Sequence, residues 1–521
     1  MYLHADQLPP HTHLQGYDIC IVGAGAAGLA MAKRLIGSGR SVLVLASGSP
    51  QDRGRPDATR QQLYEGTHGS LLTQVDPIFQ QRSRLHMYGG TTNHFGFWSR
   101  PLDPIDFIAR PGYRDAHWPF DLHELTPYYQ DAHHFGRFGP FNYDDLSFWE
   151  QTFFARCFPT QPDSPLSGVI MHAQYEESLH DFQVQFGADF QAAENVTILF
   201  NAHLLRIEAT ADQAHVLRLH CATLEAGKAG RSFTIQAGQY ALAMGGIENV
   251  RQLMMADHLG NNPADHLGRG FMMHPLVTNA ARVRFAQPVP LEIRSFFRDH
   301  QIRLQPPLTA DEPYTHMSAP LVNPEDIFGY CVFNAWGVLA PTQAVLEAEG
   351  IGNFRLILRF TPAGDEAVVN INWEQVPNEN SRLTLDPQRV DPIFGQPVAH
   401  VDWRMLPEDK LTIRRGLELC ESYLRAYGAT DFKLLTDLSG GPDEWPVAPH
   451  EGALATGDHH MGALRMATHP QEGIVNPDSR IHTVDNLYVA GCAVFPTGGY
   501  ANPTLTIVAL ALRLADHLAG R

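Results

Sequence analysis

Positive charge is scarce in this chain. Of 521 residues, 38 are Lys or Arg and 56 are Asp or Glu, a formal net charge of −18. Sequence-independent binding to nucleic acid needs a basic face, so that class is excluded, and docking on anionic lipid is disfavoured for the same reason. Long apolar runs are also absent. The most apolar stretch near the C-terminus is interrupted by Arg513, too short to span a bilayer, so no membrane insertion is expected. The opening segment MYLHADQLPPHTHLQG has no basic start leading into an apolar core; no signal peptide is visible, and a cytoplasmic location is the expectation. Cysteine is sparse. Cys20, Cys157, Cys221, Cys331, Cys420 and Cys492 are scattered without a CxxC spacing, which reads as reduced, buried thiols rather than zinc or a redox dithiol. The 27 histidines include the pairs His133–His134 and His459–His460, neither of which has the i, i+4 spacing of a helical metal site, so no metal is expected.

What the chain has is apolar bulk. Hydrophobic residues make up 44% and charged residues 18%, the balance of a globular protein with a large interior, and 521 residues are too many for one ordinary core. Two domains are expected. Residues 17–46 read as strand, glycine turn, helix and strand, one βαβ unit of a parallel sheet. Residues 50–125 are rich in Gly, Pro, Arg and aromatics and suggest loops folded over a ligand. Residues 196–244 alternate apolar and polar as strands do. Helices are expected over 247–258, 407–427 and 502–520, and strands at FRLILRF and AVVNINWEQ.

The first motif is G-x-G-x-x-G, formed by Gly23, Gly25 and Gly28. The first glycine permits a tight turn, the second lets backbone approach a pyrophosphate, and the third allows close helix–strand packing. The motif does not separate NAD from FAD. The second cluster is MYGGTTNHFGFWSRPLD, in which Gly89 and Gly90 permit close approach to something flat or phosphorylated, with Asn93 and His94 beside them. The third is GDHHMGALRM, followed by a turn-rich apolar C-terminus. There Asn502 is a good N-cap and Pro503 suits the first position of the last helix, whose positive end favours negative charge on a bound group.

The segments VGAGAAGLA, GGTTNHFGF, LAMGGIENVRQLM, LGRGFMMHP, EQVPNENSRLTL, HHMGALRM and LYVAGCAVFPTGGYANPTLTIVALA occur in the order seen in glucose–methanol–choline (GMC) oxidoreductases. The chain resembles this family over nearly its whole length, and within it the branch of pyranose oxidases and bacterial sugar or glycoside oxidases. The resemblance implies an α/β fold: a discontinuous Rossmann-like FAD-binding domain (1–120, 185–275 and 455–521) and a substrate-binding domain on a mixed or antiparallel sheet with helices (121–184 and 276–454). It implies oxidation of an alcohol to a carbonyl by hydride transfer to flavin N5. His459 falls on the family's catalytic histidine and Asn502 on its second catalytic position. A neutral imidazole can take the hydroxyl proton near pH 7, and Asn can donate a hydrogen bond to the developing alkoxide. His460 is the alternative base.

The resemblance also implies FAD contacts at Ser47, Gly90, Asn93, His94, Leu204, Gly245, Gly491, Cys492 and Pro503. His94 matches the histidine that bonds covalently to the flavin methyl group in pyranose oxidases; a histidine packed on the isoalloxazine edge is the alternative. The substrate is expected to be a small alcohol, sugar, glycoside or polyol, and the electron acceptor oxygen or a quinone or protein. Arg294, Phe296, Phe297, Tyr314, His316, Phe333 and Trp336 suit a sugar ring or a core equally. One departure stands out: where the family has Glu at the end of the second strand, VLVLASG has Ala46, with Ser47 able to supply a weaker hydrogen bond. Competing readings are a lyase of the same fold, a non-catalytic flavin protein, and an NADP reductase, for which Arg53 and Arg55 would hold the extra phosphate.

Overall fold

A computed structural model describes residues 1–52, 57–94, 96–113, 116–158, 163–174, 182–305, 315–316 and 331–520. Arg53, Arg55 and Tyr314 lie outside the described residues, and the side chain of His316 does too. The architecture is α/β, organised around two large sheets.

The first sheet has eight strands, in the order Tyr2–His4, Val196–Phe200, Val42–Ala46, His13–Val22, Lys228–Leu242, Val216–Glu225 and His203–Ala209, with Leu487–Val489 paired to the far end of Lys228–Leu242. The pairs along its central stretch are parallel, and the 203–242 strands add an antiparallel flank. Val42–Ala46 is buried at every residue, which is why this strand carries an unbroken apolar run rather than an alternating one. Helix α1 (Ala26–Leu35) crosses over between the first two strands of the βαβ unit. It packs on the C-terminal helix, and Arg34 locks the two together through two hydrogen bonds to the Asp516 carboxylate at 2.8 and 2.7 Å. Helix α2 (Leu122–Gly136) also packs on the C-terminal helix, and its Asp131 pairs with Arg34 at 3.2 Å.

The second sheet has nine strands and is antiparallel throughout. Its order is Thr315–His316, His300–Gln305, Cys331–Pro341, Phe354–Phe360, Glu366–Trp373, Pro275–Phe285 and Ala429–Leu434, with Leu166–Gln174 and Leu454–Thr456 as side branches. Helices α3 (Gly246–Met255), α4 (Pro407–Arg425) and α5 (Thr504–Ala519) match the expected helical segments within a few residues at each end. Between Gln51 and Phe120 there are only short helices and one three-residue strand, as the composition of that segment implies. Among the described residues no helix is long and apolar enough to cross a membrane, and no three His, Cys, Asp or Glu side chains are grouped to hold a metal ion.

Candidate active site

A cavity of about 610 Å³ is lined both by the glycine turn of the first sheet and by residues of the second. It is large enough for a drug-sized or cofactor-sized ligand. Three helices begin on its wall. The N-termini of α1, α3 and α5 carry no side-chain cap, and Gly25, Gly245 and Pro503 at their starts all line the cavity. Uncapped helix starts leave backbone N–H groups and a positive dipole end facing the space, an arrangement suited to anionic groups.

The glycine motif is built for close approach. Gly23 has φ 111°, and a Cβ there would collide with the Ala243 carbonyl of the neighbouring strand. Gly28 is a packing residue: it does not line the cavity, and a Cβ on it would run into the Gly23 carbonyl oxygen. Gly23, Gly25, Ser47, Gly90, His94, Leu204, Gly245, Gly491, Cys492, Pro503, His459 and Asn502 all reach the wall.

Several expectations need correction. Asn93 does not face the cavity. Its amide donates to the carbonyls of Tyr88 (3.0 Å) and Gly90 (2.7 Å) and its oxygen accepts from Gln183 (2.6 Å), so it braces the GGTTN turn instead of touching a ligand. Asn502 does not cap α5; the cap position falls on Pro503 and no side chain caps the helix. Ala46 is 1% exposed and does not line the cavity, whereas Leu45 and Ser47 do. Side chains alternate along a strand, so the residue at the ligand edge is Ser47, not Ala46. Cys492 lines the wall, but its thiol donates to the His460 carbonyl at 3.0 Å and burial pushes it up to about 12. It is no nucleophile.

The catalytic candidates form an ordered chain of contacts. His274 Nε2 lies 2.8 Å from the Gly499 carbonyl oxygen, His274 Nδ1 lies 2.7 Å from His459 Nδ1, and His459 Nε2 lies 3.3 Å from Asn502 Nδ2. A carbonyl only accepts, so His274 carries its proton on Nε2 and presents a bare Nδ1. His459 Nδ1 must then donate, which leaves His459 Nε2 without a proton, next to the Asn502 amide. The hydrogen bonds on one ring thus fix the tautomer of the next. Burial drives His459 well below the ordinary histidine value, with His274 and Arg355 adding to the effect; His274 is pushed down to about 4 by burial and Arg355. Both rings are neutral at pH 7.

The carbonyl that anchors this chain is itself held. Gly499 N donates to the Glu374 carboxylate at 3.1 Å, and Glu374 is gripped by both terminal nitrogens of Arg110 at 2.8 and 2.7 Å and by the Tyr113 hydroxyl at 3.1 Å. Burial alone would raise the Glu374 carboxyl; Arg110 and the N–H donors outweigh it and hold it below the ordinary range. His274, Glu374 and Arg110 were not singled out from the sequence. The one available signal was the histidine ahead of a proline in LGRGFMMHP.

His460, the alternative base, is engaged elsewhere. Its Nε2 pairs with the Ser83 hydroxyl at 2.9 Å, its ring packs edge-on against Phe79, and burial pushes it down to about 3. Also on the cavity wall, His203 stacks on His86, with ring centroids 5.4 Å apart at 17°, and Phe394 packs against His203. Of the aromatics offered as sugar contacts, Phe296 and Phe333 are fully buried and Phe297 nearly so. None of these three, nor Arg294 or Trp336, is on the cavity wall.

A flavin dinucleotide fits these walls. Oδ1 of Asn502, Nδ1 of His86 and Oε1 of Gln252 are buried on the cavity lining with no partner among the described residues, so each awaits a group that the protein does not supply. The stacked His86–His203 pair, the three helix starts and the His459–Asn502 pair share one cavity or its immediate wall, the kinds of group that suit a base, a diphosphate and a reactive ring.

The chain is similar to known flavoprotein oxidoreductases. Residues 377–511 match the family model of GMC oxidoreductases. The chain is similar to 6'''-hydroxyparomomycin C oxidase of Streptomyces lividus, 25% identical over 99% of this chain and 94% of that one. It is also similar to 2-methyl-1,2-propanediol dehydrogenase of Mycolicibacterium austroafricanum, 24% identical over 97% and 95%. A crystal structure of formate oxidase shares its fold, with TM-score 0.56 and 15% identity, covering 98% of this chain and 99% of that one. The chain is thus similar to GMC oxidoreductases in sequence over residues 377–511 and shares the fold of formate oxidase over 98% of its length.

Proposed function

We propose that this enzyme binds FAD along the cavity and oxidises a secondary or primary alcohol of a sugar, glycoside or polyol to a carbonyl. The observation that carries the reading is the chain from the Gly499 carbonyl through His274 and His459 to Asn502, which leaves one unprotonated imidazole nitrogen facing the cavity. When bound, FAD supplies the two-electron acceptor for the hydride of the carbinol carbon. The α1 start, Gly90 and Gly491 would hold its diphosphate and ribityl chain, Ser47 and Leu204 its adenosine end, and the α5 start the polar edge of its ring.

His459 Nε2 takes the proton of the substrate hydroxyl. Its low proton affinity keeps it unprotonated and ready at neutral pH, and His274 holds the ring in the tautomer that exposes this nitrogen. Asn502 Nδ2 donates a hydrogen bond to the hydroxyl oxygen and stabilises the negative charge that gathers there as the proton leaves. His94 opens onto the cavity, so the covalent attachment implied by the resemblance is sterically open. Yellow colour kept by acid-precipitated protein would show that bond, and colour in the supernatant would show FAD held by the cradle alone. The same reading assigns 1–120, 185–275 and 455–521 to the cofactor domain, and 121–184 and 276–454 to the substrate domain.

The test is anaerobic bleaching of the purified flavoprotein with a panel of sugars, sugar acids, glycosides and simple alcohols. Loss of the oxidised flavin spectrum with at least one of them is expected. A flavin that no alcohol bleaches would remove the reading. Peroxide formation in air, set against reduction of a quinone or dye, then assigns the acceptor.

A further inference from the structure

Five arginines are buried among the described residues: Arg84, Arg100, Arg110, Arg251 and Arg355. Four are matched to carboxylates within 3.0 Å, namely Glu248, Asp144, Glu374 and Glu248 again. Arg355, at 3% exposure the most buried of the five, has no carboxylate among the described residues. Its recorded contacts are the Met171 sulfur at 3.5 Å from Nη1 and the Trp98 ring at 5.6 Å, and its Nε is buried without a hydrogen bond. The ionisable neighbour that acts on it is Tyr500, whose phenol burial keeps protonated.

Its position is specific. Arg355 sits on the strand Phe354–Phe360, directly opposite Asn372, which is in turn opposite Leu276 on the strand Pro275–Phe285. The three form a row across the second sheet, and all three line the cavity. Phe354, Leu356 and Leu358, on the other face of the same strand, are core residues. Arg355 lies within electrostatic reach of both His459 and His274. Burial lowers its guanidinium only to about 10, so it stays charged at neutral pH.

A buried, charged guanidinium with no carboxylate among the described residues is a costly arrangement that a protein keeps for a ligand. We propose that Arg355 is the receptor for a carboxylate on the substrate, so that the alcohol oxidised belongs to a sugar acid or related polyhydroxy acid. This rests on the alcohol-oxidation reading above and narrows its substrate class. A planar guanidinium fork matches a carboxylate better than it matches a hydroxyl. Asn372, beside it, can bind a neighbouring hydroxyl, and Trp98 gives a flat apolar wall for the sugar carbons.

The test uses the oxidised holoenzyme and needs no turnover, so its failure is separable from failure of the bleaching experiment. Perturbation of the flavin spectrum is titrated with acid and amide pairs of the same skeleton: acetate and acetamide, gluconate and gluconamide, glucuronate and glucuronamide, with glucose 6-phosphate alongside. At least one acid is expected to bind tenfold or more tightly than its own amide. Arg355→Met should bring that ratio to about one, and Arg355→Lys should keep part of it. The thermal midpoint of Arg355→Met should equal or exceed that of the parent, because the variant removes an unmatched buried charge. Three results would overturn the proposal: no acid in the panel binds more tightly than its amide; Arg355→Met weakens acid and amide by the same factor; or glucose 6-phosphate outbinds every carboxylate. A large fall in the thermal midpoint of Arg355→Met would also overturn it, by showing the arginine to be a structural prop.

Discussion

The two walls of the cavity are built by different means. The wall on the first sheet is mostly backbone: glycine turns and helix starts, in which the absence of side chains is the functional feature. The wall on the second sheet is side chains, Leu276, Asn372 and Arg355, brought side by side from three strands. A backbone wall lets a ligand come close, and at Gly23 an added Cβ would meet the neighbouring strand. A side-chain wall can be rewritten one residue at a time. On the proposed reading, cofactor and substrate are recognised under separate constraints, with His459 and Asn502 at the seam.

The largest effect should come from adding one methyl group directly behind the backbone wall. Gly28→Ala puts a Cβ into the Gly23 carbonyl, so it should yield protein without bound flavin or no soluble protein. Flavin retained at the parental stoichiometry would erase the distinction between the walls.

Next comes the prop behind the seam. His274→Phe removes the acceptor that fixes the His459 tautomer, and should slow anaerobic flavin reduction on the order of 10²-fold, the scale of a misplaced reacting group. Because His274 also depresses His459, the acid limb of the pH–rate profile should move to higher pH in this variant. His274→Gln, which can both donate to Gly499 and accept from His459, should recover part of the rate. A simple loss of packing would move neither the profile nor the recovery.

A smaller effect follows from how the walls are buried. His86, His133 and His460 are pushed down to about 3 and His274 to about 4, each mainly by burial. Below the ordinary value of 6.5 the unfolded chain binds protons that the folded chain refuses, so stability is full above that pH and is lost as pH falls toward 3 to 4. At pH 5 each such histidine costs up to about 2 kcal/mol. The thermal midpoint should therefore fall steadily from pH 7 to pH 5; a flat response would show that these rings are solvated or paired.

The smallest effect is at the ribose edge. Ser47→Ala should weaken FAD binding by about 0.5–1.5 kcal/mol, the worth of one neutral hydrogen bond, read by the dissociation constant of a noncovalent preparation. Ser47→Glu should tighten it, whereas Ala46→Glu should not, because that carboxylate would be buried on the far side of the strand.

The backbone wall was legible in the sequence because its residues are contiguous. G-x-G-x-x-G, GGTTN and the C-terminal block each carry their chemistry within a dozen positions, and His459 and Asn502 lie inside such blocks. Legibility failed where side-chain direction decides. Asn93 sits in the right turn but points into it, and Ala46 is one residue out of phase with the edge it was assigned to. His274 and Arg355 were missed because their partners lie far away in the chain and meet them only through sheet register. FRLILRF did hold a hint, since Arg355 and Arg359 stand out of phase with the core residues Phe354, Leu356 and Leu358, which implies a strand with a second, non-core face.

The measurement closest to the central claim is the single-turnover rate of anaerobic flavin reduction by the best alcohol, in the parent and in His459→Ala. The account predicts a rate about 10²–10⁴-fold lower in His459→Ala, the usual worth of a positioned base, with FAD still bound. Equal rates in the two proteins would contradict it.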